Sequence, residues 1–525
     1  MMAGLGYKKG KIRGASRIIC LLVSLSVFFI SYFSPAASFA GEFAGPEQII
    51  LTWTGDPATS QTITWLTPNN GAGKVQYAVA EGFNGDFSAA RQMTGAGASF
   101  AGSDNFRYTV TLTGLTPDTQ YVYRVGMDGA WSEPTFFSTS AQTEDFTFLY
   151  LGDVQDGYVQ WGNLLGEIYS ENPQIRFALL GGDLTDNGSD NNEWGEFLDA
   201  AAGLFSLIPV MPAKGNHDGS LFSEFFALPD NGPRGLSGEF YSFDYGDAHF
   251  VVLNSGNNTS EVVKQWLRED LQSTTKNWRF VVFHHPAYPA FEDYKTVDES
   301  ICENWAPILE HYEVDMVFVG HQHQYMRTYP IFQGAVQTDP AAYGIVYVMG
   351  NSGSKVYAAG NGFPYIAREE TGSNYQVIEL AGDVLTLFSK KGNGELIETF
   401  TLNKGETTGP EQDSLYRVTL DENDPAFTPG RTTEGIPTLT VNSGISGFYY
   451  FTAGITPLVS HNGEQTVVFT HYRNNKQLGI NATRADFEMA SAAQAGFNVE
   501  AGDVIKVYIV DEFANSTERN PLILQ

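Results

Sequence analysis

Basic side chains, cysteines and long apolar runs are all scarce in this sequence. Its 525 residues carry 30 Lys and Arg against 60 Asp and Glu, which gives a formal net charge of −30. A nucleic-acid-binding surface needs clustered Lys and Arg, so this balance argues against a protein that binds nucleic acid. With only two cysteines, the chain cannot be stabilised by a disulfide network. A chain of this length must therefore depend on large apolar cores, divided among about two to four domains.

The one long apolar run lies near the N-terminus, at residues 18–33. Five basic residues precede it, and Ser38 and Ala40 offer small side chains shortly after it. This order is typical of a secretory signal peptide and predicts that residues 1–40 are removed after Ala40. An uncleaved anchor helix is the alternative, although the 16 residues of the run are short for a membrane span of about 20.

Cleavage at this position changes what the mature chain contains. It removes Cys20 and five basic residues but no acidic ones, so the net charge becomes −35 and Cys302 is the remaining cysteine. No other run is long and apolar enough to cross a membrane. We therefore expect a secreted or otherwise extracytoplasmic protein, in the periplasm or outside the cell, with no membrane span in its mature form.

Two flanking regions have the pattern of β domains. In residues 41–142, polar and apolar residues alternate with period two between turns rich in Gly, Pro, Asn and Asp, which predicts an all-β sandwich. The turn at Leu115–Thr119, before a Tyr-rich strand, is typical of fibronectin type III sandwiches. Residues 404–525 are expected to form a linker and a C-terminal β domain, to which the sequence assigns no role.

The central region, residues 143–403, alternates predicted strands with predicted helices, which indicates an α/β domain with a mixed sheet. The predicted strands are Phe146–Leu151, Ile175–Leu180, Ile208–Met211, Phe240–Tyr245, Phe250–Leu253, Phe280–Phe283, Met316–Val319 and Ile345–Met349. The predicted helices are Val159–Tyr169, Asn192–Phe205, Val262–Leu271 and Trp305–Tyr312. Asp190 is a predicted N-cap for the second of these helices.

Residues of metal-ligating types follow five of these strands at the point where each strand ends. The junctions are Gly152-Asp153, Gly182-Asp183, Gly215-Asn216-His217-Asp218, His284-His285 and Gly320-His321-Gln322-His323. A single Asp or His at a strand end is usually structural. Five such junctions in one domain, holding five of the nine histidines of the chain, instead indicate one site, because ligands bind at the carboxyl ends of strands in α/β sheets.

The donor atoms at these junctions define the metals that could bind. Carboxylate, amide and imidazole groups without a thiolate suit Fe, Zn or Mn rather than a structural zinc knuckle. Two Asp, an Asn and three or four His are too many for one ion, so two ions are expected. Two metals about 4 Å apart serve in-line displacement at phosphorus. Asp183, at the central strand end, is the natural bridging carboxylate.

These motifs together resemble the calcineurin-like metallophosphoesterases. The N-terminal sandwich, which opens with Pro46–Ile49 and Thr54–Pro57, is similar to that of purple acid phosphatases. The resemblance covers residues 45–402. It implies a multidomain protein whose catalytic domain is an α/β four-layer (α/β/β/α) sandwich, flanked here by N-terminal and C-terminal all-β sandwich domains.

The resemblance also implies a division of the metal ligands. One metal would be held by Asp153, Asp183 and His323. The other would be held by Asp183, Asn216, His284 and His321.

Catalytic roles follow from the same resemblance. A metal-held hydroxide would attack phosphorus while both cations neutralise charge on the phosphoryl oxygens. His217, oriented by Asp218, would protonate the departing alkoxide. His285 and Arg327 are candidates for contacting the phosphate, with a structural role as the alternative.

Two residues depart from the family pattern. Purple acid phosphatases place a tyrosine three residues after the bridging Asp, and this chain has Asp186 there, so the protein should not be purple. Many relatives carry a His two residues after the first Asp, where this chain has Gln155. Gln155 is expected to coordinate through its amide oxygen or to hydrogen-bond a metal-bound water, and Asp186 to hydrogen-bond beside the metals.

The leading hypothesis is a secreted, dinuclear-metal phosphatase that acts on phosphomonoesters of small molecules. A phosphodiesterase or nucleotidase on the same fold is the close alternative, since residues 286–300 hold no additional His of the kind some monoester enzymes use. The third hypothesis is an exported binding protein whose central domain is inactive.

Overall fold

The structure is a computed structural model. It describes residues 45–511, apart from residues 101–102, 142, 144, 292–294, 340–341, 361, 407–414, 421–423, 433–434 and 460–462. The predicted signal peptide, residues 1–40, lies outside the described residues. In the part of the chain that is described, no helix is long and apolar enough to cross a membrane.

The N-terminal region forms an antiparallel β structure. Its strands are β1 (Glu47–Thr52), β2 (Ser60–Thr67), β3 (Ala72–Val79), β4 (Arg91–Ser99), β5 (Phe106–Thr113), β6 (Gln120–Met127), β7 (Ala130–Trp131) and β8 (Thr135–Ser138). They pair in the order β1-β2-β5-β4-β3-β6-β7, and β8 also pairs with β6. The Tyr121 hydroxyl accepts a hydrogen bond from the Thr116 backbone N–H at 2.9 Å, so the side chain closes the turn before its own strand.

This β structure is packed into the central region. The Trp53 ring lies 5.4 Å from the ring of Phe177 and 5.7 Å from that of Phe243, centroid to centroid. The Tyr123 hydroxyl donates to the Ser206 carbonyl oxygen at 2.7 Å. Buried aromatic contacts of this kind hold the two regions in a fixed arrangement.

The central region contains fifteen strands and six α-helices among its described residues. The strands are β9 (Phe146–Leu151), β10 (Ile175–Leu180), β11 (Val210–Pro212), β12 (Tyr241–Tyr245), β13 (Ala248–Val252), β14 (Trp278–Val282), β15 (Met316–Val319), β16 (Gln324–Thr328), β17 (Ile331–Phe332), β18 (Ala335–Val336), β19 (Val346–Met349), β20 (Ile366–Thr371), β21 (Asn374–Ala381), β22 (Val384–Lys391) and β23 (Leu396–Asn403). The helices are α1 (Tyr158–Glu171), α2 (Asn191–Phe205), α3 (Phe222–Phe225), α4 (Glu261–Ser273), α5 (Lys295–Asn304) and α6 (Ala306–His311).

Two mixed sheets form the centre of this region. The first has the order β11-β10-β9-β21-β22-β23, and the second has the order β12-β13-β14-β15-β19-β16-β20. In the first sheet β9, β10 and β11 are parallel, and in the second β13, β14, β15 and β19 are parallel. The parallel strands carry the predicted site junctions at their carboxyl ends.

Aromatic side chains pack the two sheets against each other. The Phe148 ring of the first sheet meets Phe250, Phe280 and Phe318 of the second, at centroid distances of 5.4, 5.6 and 5.9 Å. The other face of the second sheet joins a separate core with α4 and α6, to which Val281 belongs. Full burial of such side chains stabilises the fold by about 1.5 to 3 kcal/mol each.

The elements predicted in the central region match the structure to within two residues at each end. Asp190 caps α2 as expected, because its side chain accepts from the Asn192 N–H. Strands β16 to β18 and β20 to β23 were not predicted, nor were α3 and α5. Ile366–Thr371 is partly exposed and rich in polar residues, so hydrophobic pattern alone does not distinguish this strand from a loop.

The C-terminal region forms two antiparallel sheets. Its strands are β24 (Tyr416–Leu420), β25 (Phe427–Arg431), β26 (Pro437–Val441), β27 (Ser446–Pro457), β28 (Gln465–Arg473), β29 (Lys476–Ala485), β30 (Ala492–Glu500) and β31 (Val504–Val510). The sheets have the orders β24-β27-β30 and β25-β26-β31-β28-β29. Inward side chains of both sheets share one apolar core, which includes Phe451 and Phe469.

Two buried ion pairs attach the C-terminal region to the central helices. Arg268 on α4, whose side chain is 0% exposed, pairs with Glu488. Arg417 on β24 pairs with Glu310 on α6 at 2.6 Å. A guanidinium buried to this degree depends on its carboxylate partner, because an uncompensated buried charge is costly.

We predict that Glu488→Ala destabilises the protein by about 3 to 5 kcal/mol, because it leaves the buried Arg268 guanidinium without this carboxylate. The measurement is urea-induced unfolding. The control is Arg484→Ala, which removes a pair with Glu464 whose side chains are 66% and 58% exposed, and it should cost less than about 1 kcal/mol. Equal effects of the two substitutions would contradict this account.

Candidate metal centre

The site loops follow parallel strands of both central sheets. Asp153, Asp183 and Asn216 come after β9, β10 and β11, and His284 and His321 come after β14 and β15. The loop after β19 joins them, since Asp153 forms an isolated parallel bridge with Asn351. The carboxyl ends of strands from the two sheets therefore meet at one place.

Three predicted ligands form a tight, buried cluster. Ligand atoms of Asp183, His284 and His321 all lie within 4.8 Å of one another. His284 Nε2 is 3.0 Å from Asp183 Oδ2 and 3.2 Å from His321 Nδ1. Ligand atoms bound at about 2.1 Å to one tetrahedral ion lie about 3.4 Å apart, so this spacing suits a single cation.

The backbone fixes which nitrogen of His284 points into the cluster. Its Nδ1 lies 2.9 Å from the Gly181 carbonyl oxygen, which can only accept, so Nδ1 carries the proton. The lone pair of the neutral ring is then on Nε2, the atom that faces Asp183. Orientation of a ligating imidazole by a carbonyl is the usual arrangement around protein-bound metals.

The ligands expected for the other metal also lie together. His323 Nε2 is 3.6 Å from Asp153 Oδ1, and both side chains are buried. Both oxygens of Asp153 accept from the His321 backbone N–H, at 2.9 and 2.7 Å. The carboxylate of Asp153 is thus held between the two histidines of the His-x-His motif.

Several of these residues have unusual backbone conformations. The φ angles of Gln155, Asp183, His321 and His323 are +49°, +50°, +76° and +47°. This left-handed region is uncommon for side chains other than Gly, Asn and Asp, and it marks sites where surrounding structure imposes the conformation. At Gly320 the constraint is space, since a Cβ atom there would lie 2.3 Å from Asp153 Oδ2.

His217 lies at the mouth of the site. Its backbone N–H donates to Asp183 Oδ1 at 2.8 Å, and its ring is 35% exposed. The ring Nδ1 lies 2.7 Å from the Asp186 carbonyl oxygen and 3.6 Å from Asp186 Oδ1. Because the carbonyl accepts from Nδ1, the Nε2 atom is left for other partners. The neighbouring Asn216, expected as a ligand, is exposed.

Asp218 does not orient His217, contrary to our expectation. Its buried carboxylate accepts from backbone N–H groups instead, with Oδ1 2.6 Å from Leu184 N and Oδ2 3.0 Å from Asp183 N and 2.7 Å from Gly215 N. The residue that contacts the His217 ring is Asp186. Asp218 therefore joins the Asp183 loop to the His217 loop.

Gln155, which we expected to coordinate through its amide oxygen or to hydrogen-bond a metal-bound water, lies against Asp183. Its Nε2 donates to Asp183 Oδ2 at 3.2 Å. Its Oε1 accepts from Lys355 Nζ at 2.7 Å. The amide is thereby oriented with its nitrogen, rather than its oxygen, toward the metal ligands.

The two candidates for phosphate contact have different surroundings. The His285 ring lies 4.4 Å from that of His321, centroid to centroid, and its Nδ1 is 2.8 Å from Ser255 Oγ. Arg327 instead forms a bidentate pair with Glu398, at 3.0 and 2.8 Å, and its guanidinium lies 4.2 Å from the Phe400 ring centre. These contacts favour the structural role that was the alternative for Arg327.

Burial and neighbouring charges shift the pKa values of several groups inside the site. Burial raises the pKa of Asp153 to about 7, with the charge of Asp183 adding to the effect. Burial and the charge of His284 lower the pKa of His285 to about 3. Burial and the charge of Lys355 lower the pKa of His323 to about 4. Although burial opposes it, the charges of Asp183 and Asp153 raise the pKa of His284 to about 10. A cation bound beside these carboxylates would take the place of the extra proton on His284.

The residues present fit divalent cations. The donors are carboxylates and imidazoles, no thiolate is among them, and one imidazole has its tautomer fixed for ligation. Neutral imidazole is the form that binds metal, and the lowered pKa of His323 favours it. Such a set suits Zn, Mn or Fe.

Sequence reasoning missed Lys355 and its loop. The ammonium of Lys355 lies 3.8 Å from Asp186 Oδ1 as well as 2.7 Å from Gln155 Oε1. The next aromatic residue, Tyr357, has its ring 4.6 Å from that of His323. A signal for this loop was present, since Gly350-Asn351 follows the predicted strand Ile345–Met349 in the same way that Gly-Asp follows two others.

Sequence comparisons agree with this geometry. The profile of the family "Purple acid Phosphatase, N-terminal domain" matches residues 46–139, and that of "Calcineurin-like phosphoesterase" matches residues 146–325. The chain therefore belongs to the calcineurin-like metallophosphoesterase superfamily, with the domain arrangement of the purple acid phosphatases.

Individual relatives are distant. An uncharacterised protein of Mycobacterium tuberculosis is 27% identical over 57% of this chain and 62% of its own length, so this chain spans less than two thirds of that relative. Purple acid phosphatase 23 of Arabidopsis thaliana is 25% identical over 59% of this chain and 77% of its own. Acid phosphatase type 7 of Mus musculus is 27% identical over 57% and 75%.

Solved structures support the fold. A purple acid phosphatase from yellow lupin (Lupinus luteus) seeds superposes with a TM-score of 0.60 at 17% identity, covering 70% of this chain and 77% of the lupin chain. The structure of PhoD superposes with a TM-score of 0.53 at 14% identity, covering 70% and 92%. At these identities the likeness concerns the fold alone.

We predict that Gly320→Ala lowers metal binding at least about tenfold, because its Cβ atom would lie 2.3 Å from Asp153 Oδ2 and displace a ligand. Bound Zn or Mn is measured by elemental analysis after dialysis. Gly166→Ala is the matched control, since it lies on α1 with nothing within 4 Å of an added Cβ, and it should keep full metal content. Unchanged metal content in Gly320→Ala would argue against Asp153 as a ligand.

Proposed function

We propose that this chain is a secreted, dinuclear-metal phosphoric-ester hydrolase that acts mainly as a phosphomonoesterase on small-molecule phosphate esters. We assign one metal to Asp153, Asp183 and His323, and the other to Asp183, Asn216, His284 and His321. The metals are drawn from Fe, Zn and Mn. Nucleic acid is not the proposed substrate, because the acidic balance of the chain disfavours binding it.

The observation that carries the proposal is the buried cluster of Asp183, His284 and His321, with ligand atoms within 4.8 Å of one another. The contact between Asp153 and His323 brings together two residues that would hold a second ion with Asp183. When bound, two such ions activate a water and neutralise charge on the phosphoryl oxygens. We assign protonation of the leaving oxygen and contact with the phosphate to side chains of this chain.

His217 is the proposed proton donor to the leaving oxygen. Its ring is 35% exposed and lies at the mouth of the site, where a leaving group can reach it. The Asp186 carbonyl oxygen accepts from Nδ1, which directs Nε2 away from the loop. A His held in this way is suited to general acid catalysis. Asp218 contributes indirectly, by fixing the loop that carries His217.

His285 is the proposed phosphate contact. Ser255 Oγ accepts from the His285 backbone N–H, so its hydroxyl is free to donate to Nδ1 of the same residue. The proton of the neutral ring then lies on Nε2, where it can donate to a phosphoryl oxygen. Because burial lowers the pKa of His285 to about 3, the ring stays neutral at the pH of most assays.

The proposal also covers the organisation of the chain into domains and layers. Helices α1 and α2 would cover the first sheet as α4 and α6 cover the second, which completes a four-layer α/β/β/α sandwich in residues 143–403. The Tyr121–Thr116 hydrogen bond supports a fibronectin type III-like sandwich in residues 41–142. Residues 1–40 would act as the signal peptide, and residues 404–525 as linker and C-terminal β domain.

The test is the rate of hydrolysis of p-nitrophenyl phosphate and of its bis-ester, with Zn, Mn or Fe supplied. We expect faster turnover of the monoester, and a loss of about 10² to 10⁴ in kcat for His217→Ala, the range typical of general acid–base catalysis. His311→Ala is the matched control, since His311 lies at the end of α6 among residues of no proposed catalytic role, and it should retain activity.

Other outcomes identify the competing functions. Preference for the bis-ester would assign the chain to the phosphodiesterases. Turnover of neither ester, in protein that binds no metal, would contradict an enzymatic role and favour the inactive binding protein.

A further inference from the structure

Lys355 connects the two positions at which this chain departs from its family. Its Nζ donates to Gln155 Oε1 at 2.7 Å, and it lies 3.8 Å from Asp186 Oδ1. Gln155 and Asp186 are the two residues at which the sequence departs from the pattern that the family resemblance implies. The two departures therefore share one neighbour, a lysine on the loop after β19.

The ammonium of Lys355 is oriented toward the site and keeps hydrogen-bond donors that Gln155 does not engage. Of its three donors, one is engaged by Gln155, and the 3.8 Å separation from Asp186 is longer than a hydrogen bond. Its side chain is 35% exposed, the same fraction as that of His217. The ammonium can thus keep its contact with Gln155 and still donate to a group that enters the mouth of the site.

Lys355 has neighbours at both the proposed proton donor and the proposed metal ligands. Asp186 Oδ1 lies 3.6 Å from His217 Nδ1 and 3.8 Å from Lys355 Nζ, so the lysine and the proposed proton donor lie near the same carboxylate oxygen. Gln155 connects Lys355 to Asp183. Lys355 is therefore close to both the metal ligands and the leaving-group side.

We propose that Lys355 is a substrate-binding residue that gives the site its preference for esters carrying two negative charges. This inference rests on the proposed phosphoesterase function and adds the group that selects its substrate class. A compact ammonium attracts a phosphomonoester dianion more strongly than a phosphodiester monoanion, because the interaction scales with charge. Asp186 would repel the same dianion, and the lysine offsets that repulsion.

Two substitutions test the positive charge of Lys355. Lys355→Met keeps the length of the stem and removes both the charge and the hydrogen bond to Gln155. Lys355→Arg keeps the charge. Lys390→Met is the matched control, because Lys390 lies on β22 and pairs with Glu171 at 3.4 Å, among residues with no proposed part in the site.

Steady-state kinetics on metal-loaded protein then provide the test. For Lys355→Met we expect the KM for p-nitrophenyl phosphate and the Ki of inorganic phosphate to rise about tenfold, and the kcat/KM for the bis-ester to change by less than about threefold. Lys355→Arg should restore most of the loss. Lys390→Met should match the unsubstituted protein.

Other results would overturn the inference about Lys355 and leave the proposed function unchanged. Equal losses on both esters, together with reduced metal content, would mean that Lys355 only supports Gln155. Unchanged kinetics would mean that the substrate does not meet the ammonium. If the unsubstituted protein hydrolyses neither ester, the proposed function fails. Calorimetric binding of inorganic phosphate then still tests Lys355, with about tenfold weaker binding expected in Lys355→Met and equal binding overturning the inference.

Discussion

The candidate metal centre depends on one buried carboxylate that would not itself touch a metal. Asp218 is 0% exposed and accepts backbone hydrogen bonds from Asp183 and Leu184 on one loop and from Gly215 on another. Burial raises the pKa of Asp218 to about 6, and the charge of Asp183 adds to this effect. The backbone N–H groups oppose it, as donors to a carboxylate do. The position of Asp183 is thus set by the hydrogen bonds that its own backbone N–H and that of Leu184 donate to Asp218.

That arrangement explains why strain is concentrated in this part of the fold. Asp183 has a φ of +50° and is preceded by Gly182 at +91°. A left-handed pair in a loop is unfavourable by itself, at about 1 to 3 kcal/mol for the non-glycine residue. It persists because Asp218 holds the backbone N–H groups and Asp183 Oδ1 accepts from His217 N. Ligands held in this way are already positioned before a cation arrives, which reduces the ordering that binding requires.

Much of this molecule could be predicted from its sequence because the relevant signals are local. Buried parallel strands such as Phe146–Leu151 are continuous apolar runs, and the junctions after them show directly as changes from apolar to polar residues. Strands β20 to β23 lack that contrast. Their place in the sheets is decided by pairing with distant partners, as Val377 with Leu149, which no short window of sequence records.

The types of residue at the site were also predictable, but their contacts were not. Asp218 and Asp186 are near His217 in sequence, and only the fold determines that the ring meets Asp186 while Asp218 turns toward backbone N–H groups. The sequence left the role of Arg327 open for a similar reason, since its partner Glu398 is 71 residues away. The role of a buried charged residue depends on the partner that compensates its charge, and tertiary structure determines which residue that partner is. The same reasoning applies to Gln155, whose amide is oriented by Lys355, 200 residues further along the chain.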